Sequence, residues 1–188
     1  MSPGLYDLRR ANPSVKLGAL LFLLVLGYAY LFAFLMVKTW AGLTPEQVQA
    51  TYVPAPELRM DRLPDTSTTI TQPLDLSSIG QERHTVDRDL LVQDSHIHIM
   101  MFAIVAALQT LIILGLGWPA WWRNTVIVAA FAFGALDFSG QWLMQFGLEG
   151  FSYLTIISGW GMVTVYLVVL YGTVRAVVAR VPAVEKHS

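Results

Sequence analysis

The chain has 188 residues, 55% of them hydrophobic and 13% charged, against about 25% charged in an ordinary soluble domain. A net charge of −1 offers no basic surface for nucleic acid. With no cysteine, the chain alone can hold no disulfide, thiolate metal site, covalent c-type haem or iron–sulfur cluster.

The apolar residues gather in four long runs, and each is near the roughly 20 residues that cross a bilayer core of about 30 Å. Backbone groups in lipid must bond within their own segment, so each run is expected to be a helix. The predicted fold is an all-α integral membrane protein, a four-transmembrane-helix bundle.

Residues 1–16 form a basic N-terminal segment with Arg9, Arg10 and Lys16. The first span, 17–37, has no charge and is bracketed by Lys16 and Lys38. No clean small-x-small site follows it, so it is expected to be an uncleaved span and not a signal peptide. A loop of about 58 residues, 38–95, comes next. Within it, Thr44-Pro45-Glu46-Gln47 predicts a helix to about Tyr52: an N-cap Thr, Pro at the first position and Gln three residues after the cap. Residues 53–74 are rich in Pro, Thr and Asp and read as extended coil, and from about Thr85 the chain turns helical again.

The second span, 96–117, stops at Trp118-Pro119. A turn over 118–124 carries Trp118, Trp121 and Trp122, an interfacial aromatic belt. The third span is 125–146, a tight turn follows over 147–150, and the fourth span is 151–174. The tail, 175–188, carries Arg175, Arg180 and Lys186.

Arg9, Arg10, Lys16, Arg123, Arg175, Arg180 and Lys186 fall on one side. Lys38, Arg59, Arg62, Arg83 and Arg88 fall on the other, diluted along a loop with nine acids. The positive-inside rule therefore predicts cytoplasmic termini and an outward loop, periplasmic in a bacterial inner membrane.

An ionisable residue within a span is costly and marks a candidate function. Asp137 is the clear case, ten residues from Gly147 and so about 15 Å below the outer surface. Gln141 and Gln145 continue one polar stripe from it. Asp137 could hold the bundle together by hydrogen bonding, serve a proton or a quinone, or contact another subunit.

His96 and His98 follow Asp94 and Ser95 at the mouth of span two. In a helix, positions i and i+2 lie about 200° apart, so only one imidazole can face inward. The helix is expected to start at Asp94 or Ser95 as N-cap. His98 shares a face with Gln109, and His96 belongs at the headgroup level. The readings are interfacial anchors, a b-type haem ligand, a quinone hydrogen-bonding group or a non-haem metal ligand. No span holds a further histidine. A bis-histidine haem therefore needs a second copy, a partner subunit, or an axial Met such as Met100, Met101, Met144 or Met162.

Ala130 with Gly134, and Ser158 or Gly159 with Met162, predict close packing of spans three and four. Ser158 lies about 10 Å below the outer end and is expected to reach Asp137 and Gln141. Together these residues predict a polar pocket walled by His98, Asp137, Gln141 and Ser158 and open to the outer leaflet. No hydrolase, kinase or metalloprotease motif is present, and the chain is not expected to be catalytic on its own.

Several segments carry a resemblance: SHIHIMMFAI opening span two, LDFSGQWLMQF in span three and FSYLTIISGWGMVTVYLVVLYG in span four. The layout resembles an uncharacterised family of bacterial four-span inner-membrane proteins. These have Thr-His-x-His at span two, Asp-x-x-x-Trp-Trp in span three and a Ser/Gly-rich span four. Here Ser95 stands for the Thr, and Gln141-Trp142 for the paired Trp. The resemblance implies company with respiratory cytochromes. Span two also looks like the second helix of haem-copper oxidases, whose outer-leaflet histidine binds low-spin haem. The other ligands of such an oxidase are missing.

The expectation is a small subunit of respiratory electron transfer, contacting a b-type haem or a quinone through His98, with His96, Asp137, Gln141, Ser158 and Gln109 as further site residues. Its expected partners are membrane lipid and either a second copy or a larger cytochrome complex. The rivals are a cofactor-free structural or assembly subunit and a transport or channel component.

Overall fold

A computed structural model describes residues 6–54 and 86–179. The expected coil from residue 55 onward, His84, Arg180, Lys186 and His187 lie outside the described residues.

Four helices are long and apolar enough to cross a membrane, and no strand occurs among the described residues. The first, α1, spans Pro13–Met36 and continues as a π turn over Val37–Ala41. Asn12 starts it by accepting from the Ser14 N–H, and Pro13 occupies the first turn, where its missing N–H costs nothing. Gly42 ends it with φ of 80°, a conformation that an L side chain disfavours.

The loop helix α2, Pro45–Tyr52, starts as the sequence predicts. Thr44 Oγ1 accepts from the Gln47 N–H at 3.4 Å, and Gln47 Oε1 accepts from the Thr44 N–H at 3.2 Å. Val48 and Thr51 are its buried face. The Val86 N–H donates to the Thr51 carbonyl at 2.8 Å, so the chain re-enters the described part beside the end of α2.

Span two is α3, Arg88–Leu114; span three is α4, Ala120–Gln145; span four is α5, Ser152–Val178. Helix α3 begins at Arg88, close to the helical re-entry expected from about Thr85. Asp87 is its cap and accepts from the Leu90 N–H at 2.7 Å. The expected cap at Asp94 or Ser95 is therefore corrected. The charged first turns stay helical because they stand clear of the apolar run. Ser95 is a buried position on this helix, and Asp94 is half exposed.

Helix α5 is central: α4 packs most extensively on it, α1 lies against its other side, and α3 packs mainly on α4. The core joins Leu23, Ile112, Ile113, Val126, Val165, Tyr166 and Val169. The close approaches of α4 and α5 come at Gly140, where a Cβ would strike Thr155, and at Gly161, where one would strike the Phe133 ring. The pairing expected at Gly134 differs: Gly134 faces Phe102 of α3, and Gly159 has open space. Every face of these helices is apolar enough for lipid, so composition leaves their rotation undetermined.

The N-terminal segment crosses one end of the bundle. The Leu8 N–H donates to the Gly115 carbonyl at 2.8 Å, and Leu8 is buried with Leu116 and Ala176. The start of α1 and the ends of α3 and α5 thus share one end. Helix α2 lies at the other end, with the start of α3, the α4–α5 turn and the start of α5.

Candidate functional site

At the loop end, polar side chains from four helices form one layer. Gln49 of α2 donates from Nε2 to the Glu149 carbonyl at 3.2 Å and to Ser152 Oγ at 3.1 Å. This ties the loop helix to the start of α5. Gln145 Nε2 donates to the Val86 carbonyl at 2.7 Å, which ties the end of α4 to the entry of α3. The Arg88 guanidinium stacks over the Phe146 ring, 5.9 Å from its centroid.

One turn deeper, Trp142 Nε1 donates to Ser95 Oγ at 2.9 Å, and both groups lie away from solvent. Deeper again, Gln141 Nε2 donates to Asp137 Oδ2 at 3.1 Å. The predicted stripe of Asp137, Gln141 and Gln145 therefore runs along one face of α4, with Asp137 and Gln141 bonded to each other. Gln141 Oε1 is buried without a hydrogen-bond partner among the described residues.

His98 pairs with Asp94: His98 Nε2 lies 3.0 Å from Asp94 Oδ1, both side chains about half exposed. The spacing i, i+4 puts them on one face of α3. The His98 ring stacks on Phe138 of α4 at 6.2 Å between centroids, with 25° between planes. Phe102 packs edge-on to the same Phe138 at 5.8 Å. His96 is exposed and makes no hydrogen bond, ion pair or ring contact among the described residues. The two histidines therefore have different surroundings, as helical spacing dictates.

Tyr52, at the end of α2, completes the layer. Burial, then the nearby carboxylates of Asp137 and Asp94, pushes its phenol above the ordinary value of 10.0. Asp94 and His98 sit together on α3 and Gln141 sits beside Asp137 on α4, with Phe138 under His98 joining the two helices.

Two predicted members stand apart. Gln109 is buried with its Nε2 unpartnered among the described residues, eleven residues further along α3 than His98, or about 16 Å at 1.5 Å per residue. Ser158 is also buried, and its Oγ has no partner among the described residues. Thr155, nearly one turn nearer the outer end, takes the position expected for Ser158: its Oγ1 lies 3.5 Å from the Asp137 carbonyl. The sequence signals for Asp94 and Trp142 were present, as an i, i+4 partner of His98 and an indole one residue after Gln141. Nothing in sequence spacing placed Tyr52, which arrives from the loop.

A haem iron needs a histidine nitrogen with its lone pair free. His98 Nε2 faces Asp94 here, an arrangement suited to passing a proton or orienting a hydrogen-bonding guest. No group of three or more His, Asp or Glu side chains is poised for a metal ion among the described residues.

No curated protein and no solved structure matches the chain. Residues 42–181 match a family described as a transmembrane helical domain. The match opens at the glycine that ends α1 and takes in α2, α3, α4 and α5. The α1 helix outside it is also the least buried span. The chain belongs to this family of transmembrane helical domains and is a multi-pass membrane protein.

Proposed function

We propose that the protein is an accessory subunit of respiratory electron transfer in a bacterial inner membrane, and that its outer-leaflet layer receives the head group of a quinone. The observation that carries this reading is the His98–Asp94 pair, half exposed beside the Phe138 ring. A quinone ring needs a flat apolar surface and hydrogen-bonding groups at its oxygens. The exposed His98 ring, backed by the buried Phe138, offers a flat face and a hydrogen-bonding nitrogen beside Asp94. Oxidation of a bound quinol releases two protons and two electrons. In this reading the His98–Asp94 pair takes protons on the outer side, and a redox centre in a neighbouring subunit takes the electrons.

A b-type haem at His98 is the second cofactor reading. It would use the ring nitrogen not paired with Asp94, and its second axial ligand would have to come from a methionine, a second copy or a partner subunit. A cofactor-free structural subunit is favoured by a different observation. Trp142–Ser95 and Thr155–Asp137 are bonds between helices that persist whether or not a guest binds.

The test is chemical analysis of the full chain, purified gently from its native membrane. The proposal expects quinone in the organic extract at near-stoichiometric amount and no Soret band. A pyridine haemochrome signal would replace the quinone with haem. Absence of both, from preparations that still melt cooperatively, would leave the structural reading.

A further inference from the structure

A groove lies at the opposite end of the bundle, beside the crossing N-terminal segment. It has a volume of about 590 Å³ and runs along α5. Its walls are aromatic and aliphatic: Trp118, Trp122, Leu167 and Tyr171. Thr164 lines it far down α5, and Arg9 and Arg175 line its outer rim.

Its length is informative. From Thr164 to Arg175 the helix rises about 16 Å at 1.5 Å per residue. That is about half of a hydrocarbon core roughly 30 Å thick, the depth of a single leaflet. The groove descends from the belt of tryptophans and arginines into the apolar region. It thus has the dimensions of an acyl chain with its head group at the rim.

The rim is built by the fold. Leu8 is locked by its bond to the Gly115 carbonyl at 2.8 Å and by burial against Leu116 and Ala176. Tyr6 Oη donates to the Leu111 carbonyl at 3.0 Å on the same side. Lys16 Nζ donates to the Arg9 carbonyl at 2.7 Å and holds that turn from behind. The backbone at Arg9 is thereby held at the same groove that Arg175 lines. Neighbouring Arg10 lies 3.9 Å from Asp7. The guanidinium groups of Arg9 and Arg175 have no hydrogen bond or ion pair among the described residues. Two unpaired cations at the mouth of an apolar trough call for an anion that carries a hydrocarbon tail. Basic sites between helices at the cytoplasmic surface suit such head groups.

We propose that this groove is a binding site for an anionic phospholipid of the cytoplasmic leaflet. An acyl chain lies along Leu167 and Tyr171, and the phosphate sits between Arg9 and Arg175. A zwitterionic lipid would bring its ammonium towards the same two cations. A free phosphate would leave the trough unused.

The test is native mass spectrometry of the full chain, released from mixed micelles with phosphatidylglycerol or with phosphatidylethanolamine of identical acyl chains. Phosphatidylglycerol adducts should dominate. Each arginine contributes about fivefold near a membrane surface, so R9Q/R175Q should weaken them about thirtyfold. Leu167→Trp, which fills the trough without touching the charges, should weaken both lipids. Helix content and melting temperature, read on every variant, identify any that fails to fold, and R9K/R175K should keep the preference. Equal retention of the two lipids would overturn the proposal, as would unchanged phosphatidylglycerol binding in folded R9Q/R175Q. Displacement of the lipid by millimolar inorganic phosphate would also overturn it, because the site would then read only the anion.

Discussion

Trp142 and Ser95 meet across α4 and α3 through an indole-to-hydroxyl hydrogen bond of 2.9 Å, 47 residues apart in the chain. This bond fixes the rotation of α3 against α4 near His98, which is one turn from Ser95 on the same helix. Interhelical hydrogen bonds in membranes average about 0.6 kcal/mol and reach about 1.7 kcal/mol. Ser95→Ala and Trp142→Phe should each lower stability in detergent by about 1 kcal/mol, with a coupling of similar size in the double variant. Denaturant unfolding followed by circular dichroism measures this. Strict additivity of the two substitutions would mean that the bond does not hold the helices.

A second prediction concerns the one span outside the matched family region. Tyr166 Oη donates to the Leu23 carbonyl at 3.1 Å, and a Cβ at Gly27 would collide with that hydroxyl. Gly27→Ala should therefore push α1 away from α5 and cost about 1–3 kcal/mol, the usual range for overpacking. Adding Tyr166→Phe should recover part of the loss, because it removes the oxygen that the new methyl strikes. A cysteine cross-linking rate between α1 and α5 reports the same displacement.

These pairs also indicate which parts of the molecule the sequence made legible. The spans follow from run length and charge alone, and α2 follows from Thr44, Pro45 and Gln47, because caps are local chemistry. The helical re-entry near Thr85 was legible, but its cap was put at Asp94 or Ser95, where the apolar run begins, whereas Asp87 caps the helix. The polar stripe on α4 was legible from its i, i+4 spacing. Its partners were harder to foresee. Thr155 stands where Ser158 was expected because Gly140, and not Gly134, sets the closest approach of α4 to α5. Gln49 reaches Ser152 through the tertiary placement of a loop helix, which no periodicity encodes.

Asp137 separates a bonding role from a charge role. Gln141 donates to Asp137 Oδ2 at 3.1 Å. Asp137→Asn keeps an oxygen there and should leave folding unchanged. Asp137→Leu removes the acceptor, leaves the buried Gln141 wholly unpartnered, and should cost about 1–3 kcal/mol. Thermal melts in detergent distinguish the two variants. Equal stability of Asp137→Leu and wild type would place the residue outside the bundle's hydrogen bonding.

Orientation is checked by fusion reporters. A periplasm-dependent reporter inserted at Gly147, in the α4–α5 turn, should be active. The same reporter fused after Val178, at the end of α5, should be silent. The distribution of Arg9, Arg10, Lys16, Arg123 and Arg175 requires this pattern. The reverse pattern would turn the His98 layer to the cytoplasm.

The most direct test of the central claim is calorimetric titration of the detergent-solubilised protein with a short-chain quinone, comparing His98→Ala with His96→Ala. His98 pairs with Asp94 and lies on Phe138, whereas His96 touches none of the layer. The account predicts that wild type and His96→Ala bind alike, and that His98→Ala and Asp94→Asn bind at least about tenfold more weakly, the loss of one charge-assisted hydrogen bond. Equal binding by His98→Ala and wild type, or no binding by a folded wild type, would contradict it.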